Sequence, residues 1–322
     1  MVSEHAVTLN YFHMLPRWTR QVTRFQRRSF SLLRELTNRG FIQDVTRSHD
    51  LELALSTESR TVYAGIDPTA RSLHIGHLLP LLCLFHFRLH GHTIIPLIGG
   101  ATGRIGDPSG RSTERQLADI QHVEDNVSSL ARSIRGFFAR ASSYASQRLP
   151  NIHHSASLPP HVMSNLEWHQ HFTMLDFLRT VGAHARISAM ISRESVKARL
   201  DSQQGISFTE FTYQLLQAYD FHHLHKHHGC SIQVGGSDQW GNIVAGLELI
   251  AKTATAGTEA LNVFGITTPL LTTSTGEKFG KSAGNAVWLD PGLTSIFDFY
   301  QVRNKFPFPN RSSILPCSTS SK

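Results

Sequence analysis

The sequence has few cysteines and no long apolar run, and each shortage excludes a class of protein. Its 322 residues include three cysteines, Cys83, Cys230 and Cys317, with no Cys-x-x-Cys spacing. A disulfide framework and a zinc ribbon are therefore not indicated, and a reducing compartment fits. The longest uncharged apolar run, at residues 78–87, is too short to cross a bilayer, so we expect no membrane partner. With 40% hydrophobic residues, the chain can still bury a sizeable core.

Acidic residues are scarce in the first thirty positions, which hold five arginines and one glutamate. Apolar residues recur there at helical spacing: Leu15, Trp18, Val22 and Phe25. This combination is typical of an amphipathic mitochondrial targeting segment. A basic RNA-binding arm is the alternative, but no lysine accompanies the arginines. We predict that residues 1–30 direct the chain to the mitochondrial matrix and that the mature protein begins near Ser31.

A pair of histidines stands where an extended segment gives way to an apolar helix. Residues 61–66 have the composition of a buried strand, and the helix begins at about Leu78. His74 and His77 lie between the two, three positions apart. Backbone N–H groups and the helix dipole favour anions at such a position, and the imidazoles add donors for a phosphate. Gly76 lies between the histidines and leaves room for a flat ring such as adenine.

A second segment strengthens this interpretation, because a histidine pair is weak evidence in a chain with 20 histidines. It is the string Lys-Phe-Gly-Lys-Ser at 278–282, in a stretch rich in glycine, serine and threonine. Two ammonium groups on a loop could clamp a polyphosphate, although alone the segment could be a solvated basic turn. Together, His-Ile-Gly-His and Lys-Phe-Gly-Lys-Ser resemble the paired signatures of class I aminoacyl-tRNA synthetases. The resemblance implies an α/β fold: a doubly wound parallel-sheet, Rossmann-like nucleotide-binding catalytic domain interrupted by a helical connecting region.

Three further segments resemble tyrosyl-tRNA synthetases in particular. They lie at 63–70, at 213–220 and, as Gly-Gly-Ser-Asp-Gln-Trp-Gly-Asn, at 235–242. In the second segment, Tyr213, Gln217 and Asp220 share one helix face among apolar neighbours, and buried polar groups need partners. A ligand with an ammonium group at one end and a phenol at the other would supply those partners. Tryptophanyl-tRNA synthetases lack the third string.

The resemblance implies residues for three parts of a site. Contacts to the reacting phosphates are expected from His74, His77, Thr69, Lys278, Lys281, Arg111 and Arg115. Contacts to tyrosine are expected from Tyr63, Asp107, Tyr213, Gln217, Asp220, Gln233 and Gln239. Further contacts to ATP are expected from Asp67, Gly76, Gly235, Gly236, Asp238 and Lys281. ATP would act with Mg²⁺ as a substrate complex, and no protein-bound metal is predicted.

The implied function is that of a tyrosine–tRNA ligase, which forms tyrosyl-adenylate and transfers tyrosine to mitochondrial tRNA(Tyr) for translation. The catalytic domain is expected at 31–301, with a connecting insertion at about 116–206 that carries a homodimer contact. Phe208 is expected to take part in that contact. Residues 302–322 are rich in proline and serine and predict a disordered, aberrant tail where an anticodon-binding domain would begin.

Two local predictions concern helices outside the motifs. Apolar residues from Leu117 to Phe137 recur at spacings of three and four, which predicts a long amphipathic helix, and residues 140–160 are expected to form a surface linker. The histidine-rich segment at 222–228 could be a metal site. No cysteine or carboxylate completes a usual ligand set there, so we interpret it as a solvated helix end.

Two other functions remain open at this point. Another class I-type nucleotidyltransferase would share the histidine pair but not the phenol pocket. An RNA-binding protein derived from such a synthetase is the second. Tyrosine-dependent ATP–pyrophosphate exchange separates the first from a tyrosine ligase, and binding of transcripts other than tRNA tests the second.

Overall fold

The structure is a computed structural model that describes residues 31–110, 117–149, 159–201, 205–254, 262–272 and 285–305. The predicted targeting segment, residues 150–158 of the predicted linker and most of the predicted tail lie outside these ranges. The strands are β1 (Asp44–Val45), β2 (Thr61–Ile66), β3 (Thr93–Ile98), β4 (Met163–Ser164), β5 (Cys230–Gly236) and β6 (Phe264–Thr268). In the described residues they form one sheet in the order β1-β6-β5-β2-β3-β4, parallel except for β1.

Helices surround the sheet and make up most of the connecting region. They are α1 (Leu32–Asn38), α2 (Ser48–Thr57), α3 (Leu78–Leu89), α4 (Thr102–Ile105), α5 (Ile120–Ser146), α6 (Leu166–His169), α7 (Met174–Thr180), α8 (Ile187–Ile191), α9 (Glu194–Asp201), α10 (Phe208–His228), α11 (Trp240–Thr253) and α12 (Ile296–Lys305). The two longest begin at side-chain caps, since Asp119 and Ser207 accept backbone N–H groups from the first turns of α5 and α10. Across the described ranges, no helix combines the length and the apolar character that a membrane span requires.

Side chains alternate between two cores along the central strands. Val62 and Ala64 of β2 pack into a core shared with α1, α3 and α5. Tyr63, between them, faces a second core and lies 5.4 Å, ring centroid to ring centroid, from Phe221 of α10. Gln233 of β5 is the register partner of Tyr63. Both side chains therefore leave the sheet on the side of α10, because alternate residues of a strand point to opposite faces.

The chain changes its direction across the sheet between β2 and β5. After β2 it passes through α3 to β3 and β4 on one side, and it returns later to β5 on the other side of β2. Ligands of open α/β sheets bind beyond the carboxyl ends of the strands at such a switch point. The predicted doubly wound α/β fold is confirmed, and its switch point lies where Tyr63 and Gln233 are neighbours.

Two local predictions are wrong. The predicted linker begins too early, because α5 continues to Ser146 and buries Ala145 in the core. The histidine-rich segment is not a fully solvated helix end, because His222 and His223 are half-buried. The His223 ring stacks on Trp168 at 4.4 Å, and burial lowers the pKa of both histidines to about 4.

Candidate active site

A cleft of about 1300 Å³ opens at the carboxyl ends of β2 and β5. Every predicted site residue in the described part of the chain lines it: Tyr63, Asp67, Thr69, His74, Gly76, His77, Asp107, Tyr213, Gln217, Asp220, Gln233, Gly235, Gly236, Asp238 and Gln239. The other predicted residues, Arg111, Arg115, Lys278 and Lys281, lie outside the described ranges. The fold thus brings side chains from distant segments to one cavity, and their individual roles remain predictions.

Tyr63 presents a buried hydroxyl to this cleft. Its side chain is 1% exposed, and its hydroxyl has no hydrogen-bond partner among the described residues. Burial, followed by the negative charge of Asp220, raises the pKa of Tyr63 well above its usual range. The hydroxyl therefore stays protonated, and a ligand hydroxyl could satisfy it at a point where the protein does not.

Asp220 accepts three side-chain hydrogen bonds beside Tyr63. Asn165 Nδ2 donates to Oδ2 at 2.9 Å, and Trp168 Nε1 donates to Oδ1 at 2.8 Å. His169 Nε2 lies 2.8 Å from Oδ1 as well. These three residues come from the connecting region, and sequence reasoning missed them because that stretch has no periodicity. A buried carboxylate requires hydrogen-bond donors, so the sequence could have indicated that Asp220 has partners. It could not have indicated which residues they are.

A second acidic region lies in the same cleft. Asp67 accepts from the hydroxyls of Tyr213 and Thr102, at 2.8 and 2.7 Å. Asp107 accepts from Gln239 Nε2 at 2.7 Å. Burial, then the charges of Asp67 and Asp107, raises the pKa of Tyr213 well above its usual range. Two carboxylates close to one buried hydroxyl make this region favourable for a cation such as an ammonium group.

At two glycines of the site, Gly99 and Gly236, the backbone lies close to an acidic side chain. A Cβ at Gly99 would overlap Asp67 Oδ1. A Cβ at Gly236 would lie 2.7 Å from Asp238 Oδ1, which is too close for carbon and oxygen. At these two positions the acidic side chains occupy the space that any larger residue would need.

The two motif histidines order each other at the start of α3. His74 Nδ1 accepts the Gly76 N–H at 3.1 Å, and His77 Nδ1 accepts the His74 N–H at 3.1 Å. The rings stack with their centroids 3.7 Å apart. Because Nδ1 is an acceptor in both rings, the proton of each neutral imidazole is on Nε2. Both residues line the cleft, where the Nε2–H groups are suited to an anionic ligand.

The described residues on both sides of the lysine motif lie at the cleft. Residues 273–284 lie outside the described ranges, and both flanks of this segment, at Leu271 and Trp288, line the cleft. The downstream flank is hydrogen-bonded to the histidine motif, since the Ile75 N–H donates to Val287 O and the Leu289 N–H donates to Leu73 O, each at 2.8 Å.

The family model of tRNA synthetases class I (W and Y) matches residues 55–306. The chain belongs to this family. The matched range contains the histidine motif, the lysine motif and every side chain described above at the cleft. The predicted membership of the class I aminoacyl-tRNA synthetases is therefore confirmed.

Individual relatives are tyrosine–tRNA ligases. The mitochondrial tyrosine–tRNA ligase of Saccharomyces cerevisiae is 46% identical over 276 residues, which are 85% of this chain and 56% of that protein. The mitochondrial tyrosine–tRNA ligase of Drosophila melanogaster is 43% identical over 282 residues, 85% of this chain and 59% of that protein. This chain thus spans less than two thirds of the length of these curated relatives.

A solved structure agrees with this relationship. A C-terminally truncated mitochondrial tyrosyl-tRNA synthetase from Aspergillus nidulans superimposes with a TM-score of 0.75 and 35% sequence identity. The match covers 86% of this chain and 77% of that one. The predicted resemblance to tyrosyl-tRNA synthetases is confirmed.

Proposed function

We propose that this chain is the catalytic part of a mitochondrial tyrosine–tRNA ligase, with the catalytic domain at residues 31–301. It activates tyrosine with Mg²⁺–ATP to form tyrosyl-adenylate and transfers the tyrosyl group to mitochondrial tRNA(Tyr). The observation that carries the proposal is the buried hydroxyl of Tyr63, which has no hydrogen-bond partner among the described residues and lies beside the carboxylate of Asp220. A ligand hydroxyl can donate to the carboxylate and accept from the Tyr63 hydroxyl at the same time, and the phenol of tyrosine is such a group.

Tyrosine fits the cleft in one orientation. Its phenolic OH donates to Asp220 and accepts from Tyr63, while its ammonium group lies at Asp107 in the acidic region. Asp67, predicted as an ATP contact, borders the same region through the hydrogen bond that it accepts from Tyr213. Tyr213, Gln217, Gln233 and Gln239 complete the contacts to the amino acid. The two ends of the pocket differ in what they can bind: the Tyr63 hydroxyl beside Asp220 suits a ligand hydroxyl, and the second acidic region suits an ammonium group. The carboxylate of tyrosine must then meet the α-phosphate of ATP for the reaction to occur.

ATP lies against the histidine motif and the glycine turn of β5. Gly76 admits the adenine ring, Gly235 and Gly236 admit the ribose, and Asp238 accepts from a ribose hydroxyl. The Nε2–H groups of His74 and His77, with Thr69, donate to the phosphates. Lys278, Lys281, Arg111 and Arg115 supply positive charge to the pyrophosphate.

The reaction needs no nucleophilic side chain. A carboxylate oxygen of tyrosine attacks the α-phosphorus of ATP, a C–O–P bond forms, and the bond between the α-phosphorus and its bridging oxygen breaks to release pyrophosphate. The attacking group is already an anion, so no base is required either. The protein accelerates this step by positioning the reactants and by stabilising negative charge that spreads over the phosphates.

A second copy of the chain is a further partner, in addition to the small substrates. Exposed apolar residues lie on the connecting region and at the start of α10: Met174, Leu175, Leu178, Ile187, Ile191 and Phe208. Leu175 is 73% and Phe208 68% exposed, and exposed apolar side chains of this size support a homodimer contact. The arginine-rich residues 1–30 and the mitochondrial relatives support a location in the mitochondrial matrix.

ATP–pyrophosphate exchange tests the function. The full chain is incubated with ATP, Mg²⁺, labelled pyrophosphate and, separately, tyrosine, phenylalanine or tryptophan. We expect label to enter ATP with tyrosine and to stay near background with the other two. Exchange driven equally by tryptophan, or independent of any amino acid, would refute a tyrosine ligase.

A further inference from the structure

A single helical turn supplies all three donors to Asp220. Asn165 lies at its start, and Trp168 and His169 follow at positions i+3 and i+4, which face the same side of a helix. The His169 N–H also donates to Asn165 O at 3.2 Å, so the turn is closed. His169 and Asp220 are almost completely buried, with side chains 7% and 4% exposed.

Resting on the function proposed above, we propose that His169 is a positioning residue for tyrosine recognition. It holds Asp220 in the one orientation in which a single carboxylate oxygen accepts the phenol of the substrate. His169 does not touch tyrosine itself and acts through Asp220.

The count of lone pairs identifies that oxygen. An ionised carboxylate offers about two acceptor positions on each oxygen. Trp168 and His169 occupy both positions of Oδ1, whereas Asn165 occupies one position of Oδ2. The remaining position is therefore on Oδ2. If the His169 bond is lost, Oδ1 regains an acceptor position, and the phenol no longer has a single partner.

Aromatic neighbours hold the His169 ring in place. It meets Tyr219 edge-on at 5.6 Å, and Tyr219 in turn stacks on Phe172 at 4.6 Å. Because an ionised carboxylate only accepts, Nε2 of His169 is the donor, in the neutral ring and in the charged ring alike. The geometry thus depends on an N–H at the Nε2 position and not on the charge of the imidazole.

Three substitutions separate this role from simple packing. His169→Gln keeps the donor, because Nε2 of glutamine is three bonds from Cβ, as Nε2 of histidine is. His169→Asn keeps an amide but ends one bond short, and His169→Phe keeps a ring without a donor. His171→Asn, at an exposed position two residues further on, is the matched control.

The assay is steady-state ATP–pyrophosphate exchange by the full chain with tyrosine and with phenylalanine. We expect His169→Asn and His169→Phe to raise the KM for tyrosine about tenfold, the low end for a hydrogen bond to a charged group. The kcat and the KM for ATP stay unchanged, and the preference for tyrosine over phenylalanine falls by the same factor. His169→Gln and His171→Asn retain the values of the unsubstituted chain.

The results that overturn the proposal are distinct from those that overturn the function. Equal selectivity in His169→Gln and His169→Asn refutes the positioning role, and this comparison stands if His169→Phe does not fold. A parallel rise in the KM for ATP shows a structural role and also refutes it. If the unsubstituted chain lacks tyrosine-dependent exchange, the proposed function fails. Equilibrium dialysis of labelled tyrosine against the same variants then decides the role of His169.

Discussion

Tyr63→Phe is expected to weaken tyrosine binding without destabilising the unliganded protein. The change removes only the hydroxyl, which is buried and has no hydrogen-bond partner among the described residues. An unsatisfied buried polar group costs about 1–3 kcal/mol, so its removal should leave the free energy of unfolding unchanged or raise it by up to that amount. The loss of one neutral hydrogen bond to tyrosine costs about 0.5–1.5 kcal/mol, which corresponds to a Kd about twofold to twelvefold higher.

Two measurements on the Tyr63→Phe variant test the two expectations, which are an unchanged or higher stability and a weaker binding of tyrosine. Urea denaturation without tyrosine gives the stability of the variant, and isothermal titration gives its affinity for tyrosine and for phenylalanine. Affinity for phenylalanine should change less than affinity for tyrosine, because phenylalanine cannot pair with the hydroxyl. An unchanged affinity for tyrosine, or a loss of stability of more than about 1 kcal/mol, would show that the hydroxyl serves the fold instead of the ligand.

Four further predictions follow from individual contacts and from the sequence. His77→Asn keeps an acceptor for the N–H that Nδ1 binds but lacks the Nε2–H, so kcat for exchange should fall about 10²-fold while tyrosine affinity, by titration, stays constant. Gly99→Ala should lower the urea midpoint and tyrosine affinity together, because its Cβ would overlap a carboxylate, whereas Gly241→Ala, with only an ordinary contact at 3.5 Å, should lower neither. Burial lowers the pKa of His92 from 6.5 to about 4, so stability present at neutral pH is lost as the pH falls through this interval; His92→Asn does not titrate and should reduce the shift in urea midpoint between pH 7 and pH 4.5. Residues 1–30 fused to a fluorescent reporter should send it to mitochondria, and a reporter that stays in the cytosol would contradict the predicted targeting segment.

The ends of the central strands could be predicted from the sequence because local chemistry determines them. An apolar run followed by glycine or proline predicts β2, β3 and β5, and the spacing of His74 and His77 predicts their place before α3. Parallel strands bring their carboxyl ends to one edge, so residues after separate strands are expected to share a cleft. The resemblance to tyrosyl-tRNA synthetases assigned Tyr63 and Asp238 to one site, and for Asp238, which follows β5, the geometry of a parallel sheet supports the assignment.

The residues that donate hydrogen bonds to Asp220 could not be predicted in the same way. Asn165 and Trp168 reach it across 55 and 52 positions of the chain, and no repeat in that stretch predicts which face is inward. The half-burial of His223 likewise depends on its stacking against Trp168, a contact between distant segments. Polar residues of this kind resemble a solvated surface until the packing of the connecting region is known.

The central claim is that the phenol pocket and the phosphate site serve one reaction. The most direct measurement is of the intermediate itself: the full chain is mixed with Mg²⁺ and ATP labelled at the α-phosphate, together with tyrosine, phenylalanine or tryptophan, and the bound aminoacyl-adenylate is quantified. We predict labelled adenylate with tyrosine and only background with the other two amino acids. Equal adenylate from phenylalanine or tryptophan, or none from tyrosine in a protein that binds both ATP and tyrosine, would contradict the claim.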